Sequence, residues 1–155
     1  MKVYSILGVF SIFILMLPLF TKAQIPSSPG APQAVTAAEV RRFIDEYKIR
    51  FMRMDLDTFM DLFSKEAVEN RMLPYADIRE AYKKTIATSQ SIMYHVEIYS
   101  VQTYTRSAFV SGRYGIIQIL KRGSREKVFK SNIQWYLVRE NGSLKIQEVN
   151  YGRDR

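Results

Sequence analysis

The apolar period of this chain changes once, near Ser91, and that change constrains the fold more than any other feature. Before it, Val40, Phe43, Ile44, Tyr47 and Phe51 recur at three- and four-residue spacing, which puts one face of a helix against a core. After it, Ile92, Tyr94, Val96 and Ile98 alternate with Met93, His95 and Glu97, the signature of a half-buried strand. Helices collected in one part of the chain and strands in the other predict an α+β domain rather than alternating βαβ units.

The boundaries follow from local chemistry. Thr36 with Glu39 three residues later is a capping-box pattern, so the first helix is expected over 36–54. Asp55 or Asp57 can cap a second, short helix carrying Leu56, Phe59, Met60 and Phe63. Residues 64–74 show no clear period and read as irregular with room for a short strand; 75–90 return to helix, with Ile78, Tyr82 and Ile86 on one stripe. A second extended run covers 104–120. At ~3.3 Å per residue it would reach ~56 Å, too long for one straight strand of a small domain. Gly112 and Gly115 inside it mark a bulge or bend. Arg122-Gly123-Ser124 makes a turn, a third strand is expected over 127–139, Asn141-Gly142 is a two-residue hairpin signal, and a last strand covers 143–151. The expectation is three helices, then about four long strands in a curved antiparallel sheet that wraps, cone-like, around the long first helix.

The amino-terminal residues form a separate unit. Lys2 is followed by no charge over residues 3–20, then by Thr21-Lys22-Ala23, the marks of a secretory signal cut after Ala23. The competing reading is an uncleaved anchor in the cytoplasmic membrane formed by residues 3–20, whose ~27 Å helical rise falls just short of a ~30 Å hydrocarbon core. Pro18, Gly8, Ser5 and Ser11 favour cleavage. Both readings put the remainder outside the cytoplasm, periplasmic or secreted, because Lys2 stays inside. Residues 24–35, with three prolines and two serines, form a mobile tether; the folded domain is expected over 36–155. The chain has no cysteine, which excludes a lipidated anchor, a disulfide scaffold and a thiolate metal site.

The segment FKSNIQWYLVRENGSLKIQEVNYG (129–152) resembles the closing hairpin of nuclear transport factor 2-like, or SnoaL-like, domains, where a Trp, an apolar alternation, a turn glycine and a Leu-Lys-Ile run recur. DLDTFMDLFS (55–64) is similar to their second helix, and the element order matches. The resemblance covers about 36–151. More narrowly, it is similar to domains of this kind appended to bacterial envelope proteins, some L,D-transpeptidases among them; the transpeptidase cysteine is absent here. The resemblance implies a cone whose mouth holds a small hydrophobic or mixed ligand. It implies no particular activity, since the fold hosts enzymes, transport factors and assembly modules.

The residues offer little for catalysis. His95 is the single histidine, and its strand parity turns it to solvent, so no metal site is expected. No phosphate-loop, EF-hand or dinucleotide pattern occurs, and no cofactor is expected. The resemblance implies that an isomerase, hydratase or cyclase of this kind would use Tyr47 of the first helix with an acid inside the cone, and Glu148 is the acid on the parity of Leu144 and Ile146. The surrounding basic residues favour reading Glu148 as the ion-pair partner of a nearby Arg or Lys at the sheet end, and the inward positions of the third strand (Phe129, Ile133, Trp135, Leu137) carry no acid. No catalytic residue is therefore assigned. Phe43, Tyr47, Tyr94, Tyr114, Trp135 and Glu148 are the candidate pocket lining.

The formal charge of +8 is unevenly placed: residues 24–101 hold ten basic and eleven acidic side chains, residues 102–155 eleven and four. The surplus centres on the turn at 121–130, with Lys121, Arg122, Arg125, Lys127 and Lys130. A charge run of this kind reads as a solvated turn or as a contact for an anionic envelope surface, either phospholipid headgroups or an acidic wall polymer. An exported domain is not expected to bind nucleic acid. The face Lys130, Asn132, Gln134, Tyr136 and Val138 lies opposite the core; the Tyr136/Val138 pair and the family resemblance make a sheet-to-sheet homodimer or contact with an envelope protein a candidate assembly. The expected function is an exported, non-catalytic binding or assembly module of the cell envelope, with the small-molecule enzyme as the alternative. If the leader is cut, the intact mass of protein from the exporting cell should begin at Gln24; a full-length mass in the membrane fraction selects the anchor.

Overall fold

The computed structural model describes residues 34–152; the leader and nearly all of the tether lie outside them. Helix α1 (Ala37–Arg53) starts where Thr36 Oγ1 accepts the Glu39 N–H at 3.2 Å and stops at Met54, whose left-handed backbone (φ 56°) turns its N–H onto the Phe51 carbonyl. The Glu39 carboxylate in turn is stabilised by a backbone hydrogen bond at Thr36, the reciprocal half of the capping box, and takes a two-pronged bond from the Arg139 guanidinium, both contacts at 2.7 Å. Arg139 thereby holds the Glu39 carboxyl below the ordinary carboxylate range and fastens the first turn of α1 to the sheet. Helix α2 (Leu56–Met60) is capped by Asp55, which accepts from Thr58 N. Helix α3 (Tyr75–Thr88) begins after Pro74 with no side-chain cap.

The strands are β1 (Phe63–Glu69), β2 (Leu73–Pro74), β3 (Ser89–Thr103), β4 (Ser107–Leu120), β5 (Glu126–Glu140) and β6 (Ser143–Gly152). They form one curved sheet in the order β2-β1-β6-β5-β4-β3. The sheet is mixed, not purely antiparallel, because β1 runs parallel to β6. The segment that sequence periodicity leaves irregular thus supplies two further strands. Its pattern fails because the β1–β6 register slips between Phe63 and Val68, so buried and exposed residues do not alternate. Ser89 and Gln90 open β3 instead of closing α3.

The irregularity expected within β4 falls on its neighbour: Ile98 pairs with Gly112 and Ser100 with Ser111, leaving Tyr99 unpaired as a bulge. A Cβ at Gly112 would collide with the Glu97 carbonyl oxygen, so the strands approach more closely here than any other residue allows. At the β5–β6 turn both central residues have positive φ, Asn141 at 48° and Gly142 at 83°, the backbone of a twist-compatible two-residue hairpin.

The core lies between α1 and the concave face of the sheet. Val40, Ile44, Tyr47 and Phe51 on α1 meet Val110 of β4, Ile133, Trp135 and Leu137 of β5, and Ile146 and Val149 of β6, all essentially without exposure. Gly112→Ala should lower the urea-unfolding stability by about 1–3 kcal/mol. The control Gly115→Ala would meet only the Lys130 side chain at 3.9 Å and should change it by less than about 0.5 kcal/mol.

Candidate functional site

Above this core the helices no longer cover the sheet, and a cavity of about 360 Å³ opens there. Five tyrosines meet at it: Tyr47 from α1, Tyr82 from α3, Tyr94 from β3, Tyr114 from β4 and Tyr151 from β6. The hydroxyls of Tyr47, Tyr82 and Tyr151 close a triangle with edges of 3.3 Å (Tyr47–Tyr82), 3.4 Å (Tyr47–Tyr151) and 2.6 Å (Tyr82–Tyr151). Each hydroxyl donates once and accepts, so the triangle satisfies its own donors and leaves acceptor capacity over. Burial pushes all three phenols above their ordinary pKa, which keeps them neutral. The Tyr94 ring lies 5.8 Å from that of Tyr47, and its hydroxyl is buried with no good hydrogen bond, only a weak contact to the Tyr47 hydroxyl.

One acid faces the cavity, and it is Glu69, at the end of β1. Burial raises its carboxyl pKa, and its charge disfavours ionisation of Tyr47, Tyr82 and Tyr151. Asn70, in left-handed backbone at φ 50°, holds this corner together: its N–H donates to the Val149 carbonyl at 2.9 Å and its Oδ1 accepts from the Tyr151 N–H at 2.8 Å. Asn70 therefore sets both the acid and the Tyr151 ring. At the far end, Gln118 of β4 is buried and donates through Nε2 to Ser89 Oγ at 2.8 Å, closing β4 onto the end of α3.

Of the candidate lining, Tyr47, Tyr94 and Tyr114 come together at the cavity. Trp135 lies deeper, its ring edge-on to Tyr47 at 5.9 Å, with a buried indole N–H that has no partner. Phe43 sits a turn below Tyr47 and borders a shallow groove with Arg42, Glu46 and Lys145. Glu148 must be corrected: it does not face the cone. Tyr136 pairs with Glu148 and Leu137 with Ile146, so Gln147 is an extra residue that reverses the parity of β6. Leu144, Ile146 and Val149 are buried, while Glu148 turns to the convex face. There it accepts from Asn150 Nδ2 at 2.7 Å and lies 3.6 Å from Arg71 Nε. The same bulge carries Tyr151 into the pocket. Phe129 also differs: it lines the cavity on the concave side, yet it is 46% exposed because no helix reaches it.

Lys121, Arg122, Arg125, Lys127 and Lys130 are all exposed. On the convex face, Lys130, Asn132, Gln134, Tyr136 and Val138 alternate with buried Ser131, Ile133, Trp135 and Leu137; His95 is exposed on the same side, opposite Gly115. Among the described residues no acid–histidine cluster has metal-binding geometry, and no helix is long and apolar enough to cross a membrane.

No family model matches the sequence, and no curated protein does. Solved structures do match. A nuclear transport factor 2-like superfamily protein from Salmonella enterica serovar Typhimurium superposes with TM-score 0.66 at 16% identity, over 76% of this chain and 90% of that chain. A candidate aromatic ring hydroxylase from Novosphingobium aromaticivorans gives 0.67 at 14% identity over 76% and 88%. A type 2 hexachlorocyclohexane dehydrochlorinase, LinA, gives 0.59 at 9% over 76% and 84%. This is an α+β domain with the nuclear transport factor 2-like fold.

Glu69 makes the site sensitive to pH. A carboxyl whose folded pKa is raised contributes most below its ordinary value, and that contribution is lost as pH climbs through the raised value. Glu69→Gln should therefore melt with the wild type at about pH 4 and above it at about pH 8. Parallel melting curves at every pH would show that Glu69 ionises freely.

Proposed function

We propose that the domain is a binding module for a small, largely apolar molecule bearing a hydrogen-bond acceptor, and that it holds this molecule in the tyrosine-lined cavity without chemical change. The observation that carries the reading is the Tyr94 hydroxyl, buried at the cavity with at most a weak contact to the Tyr47 hydroxyl. A buried donor left without a good partner costs up to about 1–3 kcal/mol, and a ligand carbonyl or ether oxygen reduces that cost on binding. Burial holds the surrounding phenols and the Glu69 carboxyl toward their neutral forms, which suits a neutral acceptor. The pattern of residues 1–23 supports export, and we infer that the module works in the cell envelope.

A second reading has its own observation. Glu69 stands beside three phenols, so a carboxyl and a hydroxyl donor are both in reach of one ligand, the arrangement that an isomerase or hydratase needs for proton transfer. Glu69, not Glu148, would then act with Tyr47. The dehydrochlorinase among the matched structures shows that this fold supports elimination chemistry elsewhere.

Calorimetry with a panel of apolar ketones, phenols and ethers separates these readings. Tyr94→Phe should raise the melting temperature of the free protein, since it removes an unsatisfied group, and weaken ligand binding about fivefold or more. Loss of turnover in Glu69→Gln with binding intact would establish the enzyme instead.

A further inference from the structure

We infer that the ligand of this cavity is an anionic amphiphile, a carboxylate or phosphate with an apolar body, whose charged end is held at Lys127. The inference rests on the binding reading above and names its ligand class. The register fixes where Lys127 lies. In β5 the residues buried or turned to the cavity are Phe129, Ser131, Ile133 and Trp135, and Lys127 continues that parity by one step. It pairs with Gln118, which lines the cavity, as Phe129 pairs with Ile116, which also does. Lys127 is therefore a cation on the concave side at the rim.

The cavity is polarised along its length. One end is at Tyr151, paired with Ile133, and the other at Gln118, paired with Lys127. From Ile133 to Lys127 is ~20 Å of extended strand. The one acid lining the cavity, Glu69, is at the Tyr151 end, beside the tyrosine triangle. Glu126 neighbours Lys127 but belongs to the other face, opposite Ile119. Lys127 forms no ion pair among the described residues, and neither do Lys121, Arg122 and Arg125 in the preceding turn. Between the two ends the lining is Ile116, Phe129, Tyr114 and Phe51. A molecule matching this sequence of surfaces has an uncharged acceptor or plain apolar end at the tyrosines, an apolar middle, and an anion at the Lys127 end. A neutral ligand would leave that cation unused.

Decanoate, decyl phosphate and decanol, each below its aggregation concentration, test this on the full chain by calorimetry. Both anions should bind about two- to fivefold more tightly than decanol, the worth of one ion pair to an exposed lysine, and the advantage should shrink with added salt. Lys127→Gln should remove most of that advantage and leave decanol unchanged, whereas Ala81→Trp, at the exposed rim on α3, should weaken all three. Equal binding of decanol and the anions, or an unaltered advantage in Lys127→Gln, overturns the inference and leaves the binding reading standing. Failure of all three probes to bind overturns the inference, and the binding reading falls with it only if the ketones, phenols and ethers fail as well. Co-sedimentation with anionic phospholipid vesicles separates the sources of the anion. Vesicle binding lost in Lys127→Gln, with free decanoate and decanol binding alike, would make the turn a surface contact and sink the pocket assignment.

Discussion

A helix and a strand of similar residue count differ twofold in length, and this mismatch shapes the domain. The 17 residues of α1 rise about 25 Å, whereas the 15 of β5 extend about 50 Å. One helix laid along such a strand covers only part of it. Over the covered part, Ile133, Trp135 and Leu137 are sealed against Val40, Ile44 and Tyr47. Beyond it the same concave face continues with Phe129 and Lys127, and nothing in α1 is left to meet them. α3 closes over part of the gap through Tyr82 and Thr85, and the remainder is the cavity. The pocket is thus the portion of the concave face that the helices are too short to fill.

That geometry also explains why tyrosines occupy the boundary. A residue at the junction of a dry core and an open mouth gains from a large apolar ring on one side and a polar tip on the other. Tyr47 is the pivot: its ring contacts Phe59 at 5.0 Å, Tyr94 at 5.8 Å and Trp135 at 5.9 Å, while its hydroxyl joins the triangle with Tyr82 and Tyr151. The triangle draws on α1, α3 and β6, so it couples three elements far apart in sequence through one polar contact set. Replacing any of the three by Phe would leave the other two with a weaker network, not an isolated unsatisfied donor; Tyr94 stands outside the triangle, with the least satisfied hydroxyl of the group.

Much of this was legible where one residue's chemistry decides one backbone feature. Thr36 as a cap, Asn141-Gly142 as a turn and the inward Ile133, Trp135 and Leu137 need no tertiary information, and they fix the outline of the fold. The site was less legible because it depends on extra residues in the ladder. Alternation counted from Leu144 and Ile146 assigns Glu148 to the cone and Tyr151 to solvent; the bulge at Gln147 exchanges the two. No local signal in KIQEV announces a bulge. Glu69 was hidden for a related reason: β1 pairs in parallel with β6, its register slips, and its apolar residues never alternate. Phe129 followed its parity correctly, but parity says which face a residue takes, not how far the covering helix extends.

The uncovered end of the sheet carries a solubility problem as well as a pocket. Val128 is 52% exposed on the convex side, and Phe129 is 46% exposed on the concave side; bare, such a hairpin would be a site for unwanted association. Lys121, Arg122, Arg125, Lys127 and Lys130 surround these two residues and oppose that association by repulsion and hydration. A solvated turn and a ligand contact at the rim are compatible roles for the same charges. Charges placed to keep an open hydrophobic rim soluble necessarily set the potential that an entering ligand feels. Selection for solubility alone would be met by either sign of charge. The positive sign is the part that solubility leaves unexplained, and the anionic ligand inferred above would account for it.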